Sequence, residues 1–355
     1  MDAVTDGTLC GMLRHEWGWG EVRLTPLTGG HTNRSFRVHG DAPPCVARLS
    51  WAGKTATQVA REARMLTLAR RGLDAIAVPT IIHTRHGADH ARTAAGHWLH
   101  VFEHIEGSSG VPADTPTASA AAMDGLASLH AVLARADVDT GDPVAWLLAR
   151  YRRVGARAVP LRSDDLARDC DEVLRRIGQC LARASTWPGQ RVQWLHGDFH
   201  ADNLLFDRNR LRGVVDFDEV GQGSPWLEAA FAAFALSRDV GRDDAFRFDT
   251  SLWQAAMARY AQDRGEREAA GWIARRNDLA ALFCADQVLI HLQAAQRGLW
   301  TPGAGMGFLG CWRALLAQPP TGDNHCRTAS TVASLAWARG EPSCRQGTAS
   351  SPASD

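Results

Sequence analysis

Lysine is all but missing from this chain. Lys54 is the only one in 355 residues, and every other basic side chain is arginine or histidine. Any hold on an anion that usually falls to lysine must fall to arginine or histidine here, unless Lys54 itself serves. An excess of charge is missing too. Lys+Arg and Asp+Glu stand at 39 each, so no global field draws the chain towards nucleic acid or an anionic membrane. No basic block is interleaved with aromatics, which argues against a polyanion binder. No run approaches the roughly 18 apolar residues of a membrane span. The opening stretch, MDAVTDGTLCGMLRHEW, is acidic and lacks the charged-then-apolar layout of a secretory leader. A cytoplasmic protein without nucleic-acid or membrane partners is expected. The eight cysteines form no C-x-x-C pair and no zinc spacing; in a chain this long they read as small buried hydrophobes. Internal repeats are absent, and nothing fixes an oligomeric state.

What is present is ordinary in bulk. With 45 % hydrophobic and 22 % charged residues, the chain has the make-up of a globular protein, with length for one large or two modest domains. Residues 8–19 read as a short helix. Apolar alternation predicts strands over 21–27, 34–40 and 44–50, separated by TGGHTN and GDAPP. Residues 55–72 carry helical spacing, with Thr55 or Thr57 as cap and Gly72 as stop. VPTIIHT (78–84) and HWLHVFEHI (97–105) read as two further strands. After EGSSGVPADTP the pattern turns helical: 116–136, 144–154, 163–185, 225–239, 247–264 and 268–298. Short β-type runs, VQWL, NLLF and RGVVDF, interrupt it. The expected class is α+β: a small sheet-rich lobe, a connector and a larger helical lobe, with a cleft as the favoured ligand site. From about residue 318 the composition shifts to Pro, Ser, Thr, Gly and Ala, which predicts a largely disordered tail over 318–355, with VASLAWARG as a stray helix.

One stretch stands out. HGDFHADN (196–203) packs two histidines, two aspartates and an asparagine between apolar runs. Burying charge is costly unless it is paired or bound to metal, so the cluster is either a solvated turn or a site. Asp198 and Asn203 are five apart, and Asp216 follows thirteen residues later at the end of an apolar run. Two carboxylates and an amide oxygen form a sparse set of hard donors. Such a set suits Mg2+, which keeps waters and takes further oxygens from substrate phosphates. Asp198 is then free to accept a proton from an attacking hydroxyl.

The spacing is that of phosphoryl-transfer enzymes, where H-R-D-x-x-x-x-N is followed by D-F-G. LHGDFHADNLLF…GVVDFDEVGQGSP resembles the aminoglycoside phosphotransferase/choline kinase family, with its H-G-D-x-x-x-x-N and [IV]-D-F/W/L segments. The resemblance runs over roughly residues 15–300 and implies a bilobal protein-kinase-like fold. It implies an N-terminal nucleotide-binding lobe over 1–106, a hinge at about 103–107, and a helical catalytic and acceptor-binding lobe over 107–317. LTGGHTNRSFRV is similar to the family's first hairpin, so Gly29, Gly30, Thr32 and Asn33 would cover the phosphates of ATP or GTP. VARL makes Arg48 the basic residue that holds them, and REARML makes Glu62 its partner. Backbone groups at Glu103–Ile105 in LHVFEHIEG would meet adenine, and LASLHAVL resembles the family's LH helix. Asn203 and Asp216 would hold Mg2+, and Asp198 would be the catalytic base. His200 stands where protein kinases place a phosphate-contacting lysine, and is expected to be either catalytic or a support.

The sequence departs from the family at two points. GGHTN is not G-x-G-x-x-G, and Glu228 stands where the family has an aspartate in P-x-x-D-L-A. His196 reads as a structural histidine that holds its loop, and Asp218 as a bracing carboxylate. Asp202 and Glu219 read as acceptor-facing or solvated. Asp239, Asp243, Asp244, Asp278 and Asp286, with His291, would either receive an amine-bearing acceptor or form a solvated face. The expected activity is transfer of the γ-phosphoryl of ATP or GTP to a hydroxyl of a small molecule: an aminoglycoside-type antibiotic, an amino alcohol, a homoserine-like compound or a sugar. A protein Ser/Thr kinase of the same fold is the alternative. A metallophosphoesterase would use the same G-D-x-H stretch but needs further motifs downstream that are absent. A non-catalytic kinase-like scaffold would have lost Asp198, Asn203 or Asp216, and all three are present.

Overall fold

The structure, a computed structural model, describes residues 4–27, 33–51, 53–161, 164–187, 190–239, 244–262, 266–298 and 308–317. The expected tail over 318–355 and the glycine turn at 28–32 lie outside these residues. The chain forms two compact units. The first comprises Met1–Gly141, Val192–Leu236 and Ser251–Ala269; the second comprises Asp142–Arg191, Ser237–Thr250 and Ala270–Asp355. The first holds both the N-terminal sheet and the strands around residues 196–216.

The first unit opens with the Asp6–Trp17 helix. It starts two residues before the sequence suggested, because the Thr5 side chain accepts the Thr8 N–H at 3.2 Å. It stops at Gly18, which takes the left-handed conformation at φ 75°. Leu9, Leu13 and Trp17, spaced to share one helix face, bury against Phe36, Val38, Ala47, Leu99 and Val101. Those residues belong to an antiparallel sheet of β1 (Val22–Pro26), β2 (Arg34–Gly40), β3 (Cys45–Leu49), β4 (Ala91–Arg92) and β5 (Trp98–Glu103), in the order β1-β2-β3-β5-β4. The register sets Arg48 on β3 opposite His100 on β5. The Ala56–Gly72 helix follows β3. Its cap is Thr55, in a box with Gln58 that satisfies the first free backbone donors.

The strand expected over 78–84 does not form. That segment makes only isolated bridges, Ala77 with Gly213 and Ile81 with Phe102, and Pro79 has no N–H to lend a ladder. The Thr115–Leu133 helix, capped by Asp114, and short strands complete the unit's frame: β6 (Ser108–Ser109), β7 (Gln193–Leu195), β8 (Leu204–Asp207), β9 (Arg210–Val214) and β10 (Gly221–Gly223). The Pro225–Ser237 helix is apolar on every side apart from Glu228, and that acid is carried into the interior with it, 4 % exposed.

The second unit is helical. The Arg276–Gln296 helix packs against the Ala145–Gly155, Asp164–Ser185 and Phe308–Leu316 helices. Asp164–Ser185 buries Leu166, Cys170, Val173, Leu174, Ile177, Cys180 and Leu181, the i, i+3, i+4 pattern of an amphipathic helix. The single helix expected over 268–298 is two, Glu266–Ala274 and Arg276–Gln296, broken at Arg275. The helix expected from 247 begins at Thr250, since Arg247 and Asp249 are bonded through their backbones to Asp239 and Ser237. Asp286 is buried and paired with Arg150 inside the unit, not open to an acceptor; Asp244 pairs with Arg247 on an exposed face. Asp243 lies outside the described residues. Cys45, Cys180, Cys284 and Cys311 are buried thiols, as small hydrophobes would be, whereas Cys170 is disulfide-bonded. No described helix is long and apolar enough to cross a membrane.

Candidate active site

The loop from His196 to Asn203 leaves β7, makes one tight turn over Ala201–Asn203 and enters β8. The β8–β9 hairpin then returns the chain, and Val215 N–H donates to the Asn203 carbonyl at 2.9 Å. Asp216 is thereby delivered beside the loop. β10 pairs with β7, Gly221 opposite Leu195, and closes the far side. Gly197 sits at φ 85°, and a Cβ there would stand 2.0 Å from the Glu219 carbonyl oxygen, so only glycine fits this crossing.

His196 is fully buried. Its Nε2–H donates to the Val215 carbonyl at 3.0 Å, and its Nδ1 accepts the Asp198 N–H at 3.3 Å. Burial lowers its pKa and the nearby acids only partly offset this, so the ring is neutral. It ties the two loops together, the structural role read from the sequence. Glu228 braces the same loop from below. Its carboxylate accepts the His196 N–H at 3.1 Å and the Gly197 N–H, and meets His130 Nε2 at 2.7 Å; the other His130 nitrogen meets the Tyr260 hydroxyl at 2.6 Å. Burial would raise the Glu228 pKa, but His130, His196 and the Gly197 amide together hold it below the usual range. The longer acid thus reaches the loop backbone and stays charged there.

Asn203 Nδ2 donates to the Asp198 carbonyl at 2.9 Å and to Asp198 Oδ2 at 3.2 Å. With its nitrogen anchored, its Oδ1 is left without a partner among the described residues. His200 Nε2 lies 3.4 Å from Asp198 Oδ2, and its Nδ1 lies 3.8 Å from Asp202 Oδ2. Burial disfavours its charge, yet Asp198, Asp202 and Asp216 outweigh it and push its pKa up to about 9.

Asp216 adopts φ 60°, an uncommon conformation for a residue with a side chain. Its Oδ1 accepts from Arg48 Nη1 at 2.9 Å, and its Oδ2 has no partner among the described residues. Burial, then Asp218, Glu62 and Asp198, outweigh Arg48 and raise its pKa to about 6. Arg48 Nη2 pairs with Glu62 Oε1, so the two residues matched by the sequence meet in the interior. A third partner was not foreseen. Lys54 Nζ lies 2.6 Å from Glu62 Oε2 and also pairs with Asp218 Oδ1. Its signal in the sequence was its singularity. Glu62 would be raised by burial, but Arg48 and Lys54 keep it below the ordinary range.

Around the expected nucleotide contacts, Asn33 Oδ1 accepts the Trp51 N–H at 3.2 Å, and its Nδ2 is buried without an acceptor among the described residues. Gly29, Gly30 and Thr32 lie outside the described residues. The Glu103 N–H is committed to the Thr80 carbonyl at 2.8 Å, while the Ile105 N–H has no partner there. No group of three or more His, Cys, Asp or Glu side chains among the described residues is arranged to hold a metal by itself. An unshared amide oxygen on Asn203 and a carboxylate oxygen on Asp216, destabilised by its neighbours, fit a hard cation that brings its other ligands with it.

The family model described as "Phosphotransferase enzyme family" matches residues 23–294. No curated protein matches the sequence. Among solved structures, the amicoumacin kinase hAmiN in complex with AMP-PNP, Ca2+ and Ami superposes with a TM-score of 0.65 at 14 % identity, covering 88 % of this chain and 94 % of that one. A microcompartment-associated aminopropanol kinase gives 0.62 at 16 % identity, with coverage of 88 % and 94 %. The choline kinase of Cryptosporidium parvum Iowa II gives 0.56 at 12 % identity, with coverage of 88 % and 93 %.

Proposed function

The chain belongs to the phosphotransferase enzyme family, and from that premise we propose that it transfers the γ-phosphoryl group of ATP or GTP to a hydroxyl of a small molecule. The observation that carries the reading is the meeting of Asp198, Asn203 and Asp216 around one pair of loops, with Arg48 reaching Asp216. Arg48 grips the nucleotide phosphates with its planar fork, and Glu62 orients it. The Gly29, Gly30, Thr32 and Asn33 loop covers the phosphates, and backbone groups at Glu103–Ile105 meet the base. The free Ile105 N–H supports that last role. In this reading the segment 1–106 binds nucleotide, and 107–317 supplies catalytic and acceptor-binding residues.

Asn203 Oδ1 and Asp216 are the residues that would hold Mg2+. When bound, the ion neutralises phosphate charge as the phosphoryl group leaves. Asp198 orients the acceptor hydroxyl and takes its proton. His200, cationic at neutral pH beside Asp198, places positive charge where the transferred group carries negative charge. Glu228 and His196 keep the Asp198 loop in place. The acceptor is of the hydroxyl-bearing class to which aminopropanol and choline, named for two of the similar structures, both belong. The test is nucleoside diphosphate release across a panel of amino alcohols, aminoglycosides, homoserine and sugars, with a Ser/Thr peptide mixture as a further arm. Acceptor-dependent release with a phosphorylated small molecule is expected. Phosphoester hydrolysis without nucleotide, or phosphate transfer to peptides alone, contradicts it.

A further inference from the structure

Five charged side chains form one connected chain in the first unit. Asp216 pairs with Arg48, Arg48 with Glu62, Glu62 with Lys54, and Lys54 with Asp218. Asp216 and Asp218 are two residues apart, so the backbone closes the ring. The two oxygens of Glu62 are divided, Oε1 to Arg48 and Oε2 to Lys54. The Lys54 side chain is 1 % exposed and that of Asp218 is 7 % exposed, so neither is a solvated partner that drifts. The Lys54 backbone is held as well. Its carbonyl accepts the Trp98 Nε1–H at 2.8 Å, and the next residue, Thr55, caps the helix that carries Glu62.

This arrangement has a consequence when nucleotide binds. Among the described residues Arg48 alone joins Asp216 directly to Glu62, and a phosphate that takes its Nη1 weakens the tie to the Asp216 carboxylate. The segment after β9 then keeps one ionic tie to the Ala56–Gly72 helix, through Lys54 and Asp218. We propose that Lys54 is a positioning residue: it locks the Asp216–Asp218 segment to the Glu62 helix, so that Asp216 keeps its orientation towards a divalent cation after Arg48 has turned to the nucleotide. The inference rests on the phosphotransferase reading and adds to it a second buried cation with its own task. Asp216, at φ 60°, is in a conformation that surrounding contacts must hold.

The experiment is calorimetric titration of AMP-PNP over a series of Mg2+ concentrations, for wild type, Lys54→Met, Lys54→Arg, Asp218→Asn and the Lys54→Met/Asp218→Asn double variant. For Lys54→Met, the Mg2+ concentration at half-maximal stabilisation of the complex is expected to rise about 10–100-fold, as for other residues that orient a metal ligand. Metal-free AMP-PNP affinity stays near the wild-type value, and Lys54→Arg recovers part of the loss. Asp218→Asn reproduces the rise, and the double variant is no worse than either single one, because both cut the same tie. If Lys54→Met does not fold, Asp218→Asn carries the comparison. Wild-type Mg2+ dependence in a folded Lys54→Met or Asp218→Asn, or additive losses in the double variant, would overturn the inference while leaving the phosphotransferase reading intact. Failure of the wild type itself to bind AMP-PNP with Mg2+ would overturn both.

Discussion

Removing the Glu228 carboxylate should loosen the loop that carries Asp198. In Glu228→Ala, the His196 and Gly197 amides and His130 Nε2 lose their common acceptor. All lie in the interior, and the alanine brings no acceptor to replace the carboxylate. An orphaned buried donor costs about 1–3 kcal/mol, so three of them cost on the order of 3–9 kcal/mol, a large part of the ~5–15 kcal/mol that holds a domain together. At about 2–4 °C per kcal/mol for a unit of this size, the melting temperature should fall by roughly 6 °C or more. Glu228→Asp, which keeps the charge but shortens the reach, should lose less. The pH dependence has a definite sign. A carboxylate held below its unfolded value of about 4.3 stabilises the fold above that value and loses the contribution as pH falls through the lower folded pKa. The gap between wild type and Glu228→Ala should therefore be full at pH 7 and narrow on acidification. Melting curves from pH 3 to 8 measure it. A Glu228→Ala protein that melts within ~2 °C of wild type at pH 7 would refute the reasoning, because three buried donors cannot be orphaned at that cost.

Gly197→Ala should abolish folding of the loop and with it turnover, since the new Cβ meets a backbone oxygen at 2.0 Å and no side chain can yield; wild-type melting and activity would contradict this. Asp216, with its pKa raised to about 6, favours the metal-free fold below its unfolded value near 3.9 and loses that contribution as pH rises through about 6. Metal-free Asp216→Asn should therefore be spared the decline that wild type shows between pH 4 and 7 (about its two pKa values). For wild type, Mg2+ with AMP-PNP should raise the melting temperature more at pH 8 than at pH 5, where a proton occupies Asp216; equal shifts at both pH values would count against the assignment.

The parts of this protein that were legible in the sequence are those whose chemistry needs fixed spacing along the chain. Asp198, Asn203 and Asp216 lie on one strand–turn–hairpin unit, so their separation in sequence implies their meeting in space. Arg48 and Glu62 were matched through the resemblance of VARL and REARML to the family's strand and helix, and a single strand-to-helix connection brings them together. Lys54 was conspicuous as the only lysine, but its bond to Asp218 spans 164 residues, and no local pattern encodes such a contact. Glu228 could be seen to replace an aspartate; that its extra length is taken up by reaching two backbone amides depends on how deeply the Pro225–Ser237 helix is buried. The missing strand at 78–84 shows the limit of alternation: the apolar period is there, but Pro79 withholds a donor and only isolated bridges form. The break at Arg275 escaped because apolar spacing continues across it on both sides.

The most direct test of the account is the rate of phosphoryl transfer in Asp198→Asn, with nucleotide binding measured on the same preparation. Asparagine keeps the shape of the side chain and an oxygen for the Asn203 amide, but cannot take up the proton of the acceptor. AMP-PNP should bind as in wild type while transfer falls by about 10²–10⁴-fold, the usual contribution of a general base. Transfer at the wild-type rate by Asp198→Asn would contradict the central claim.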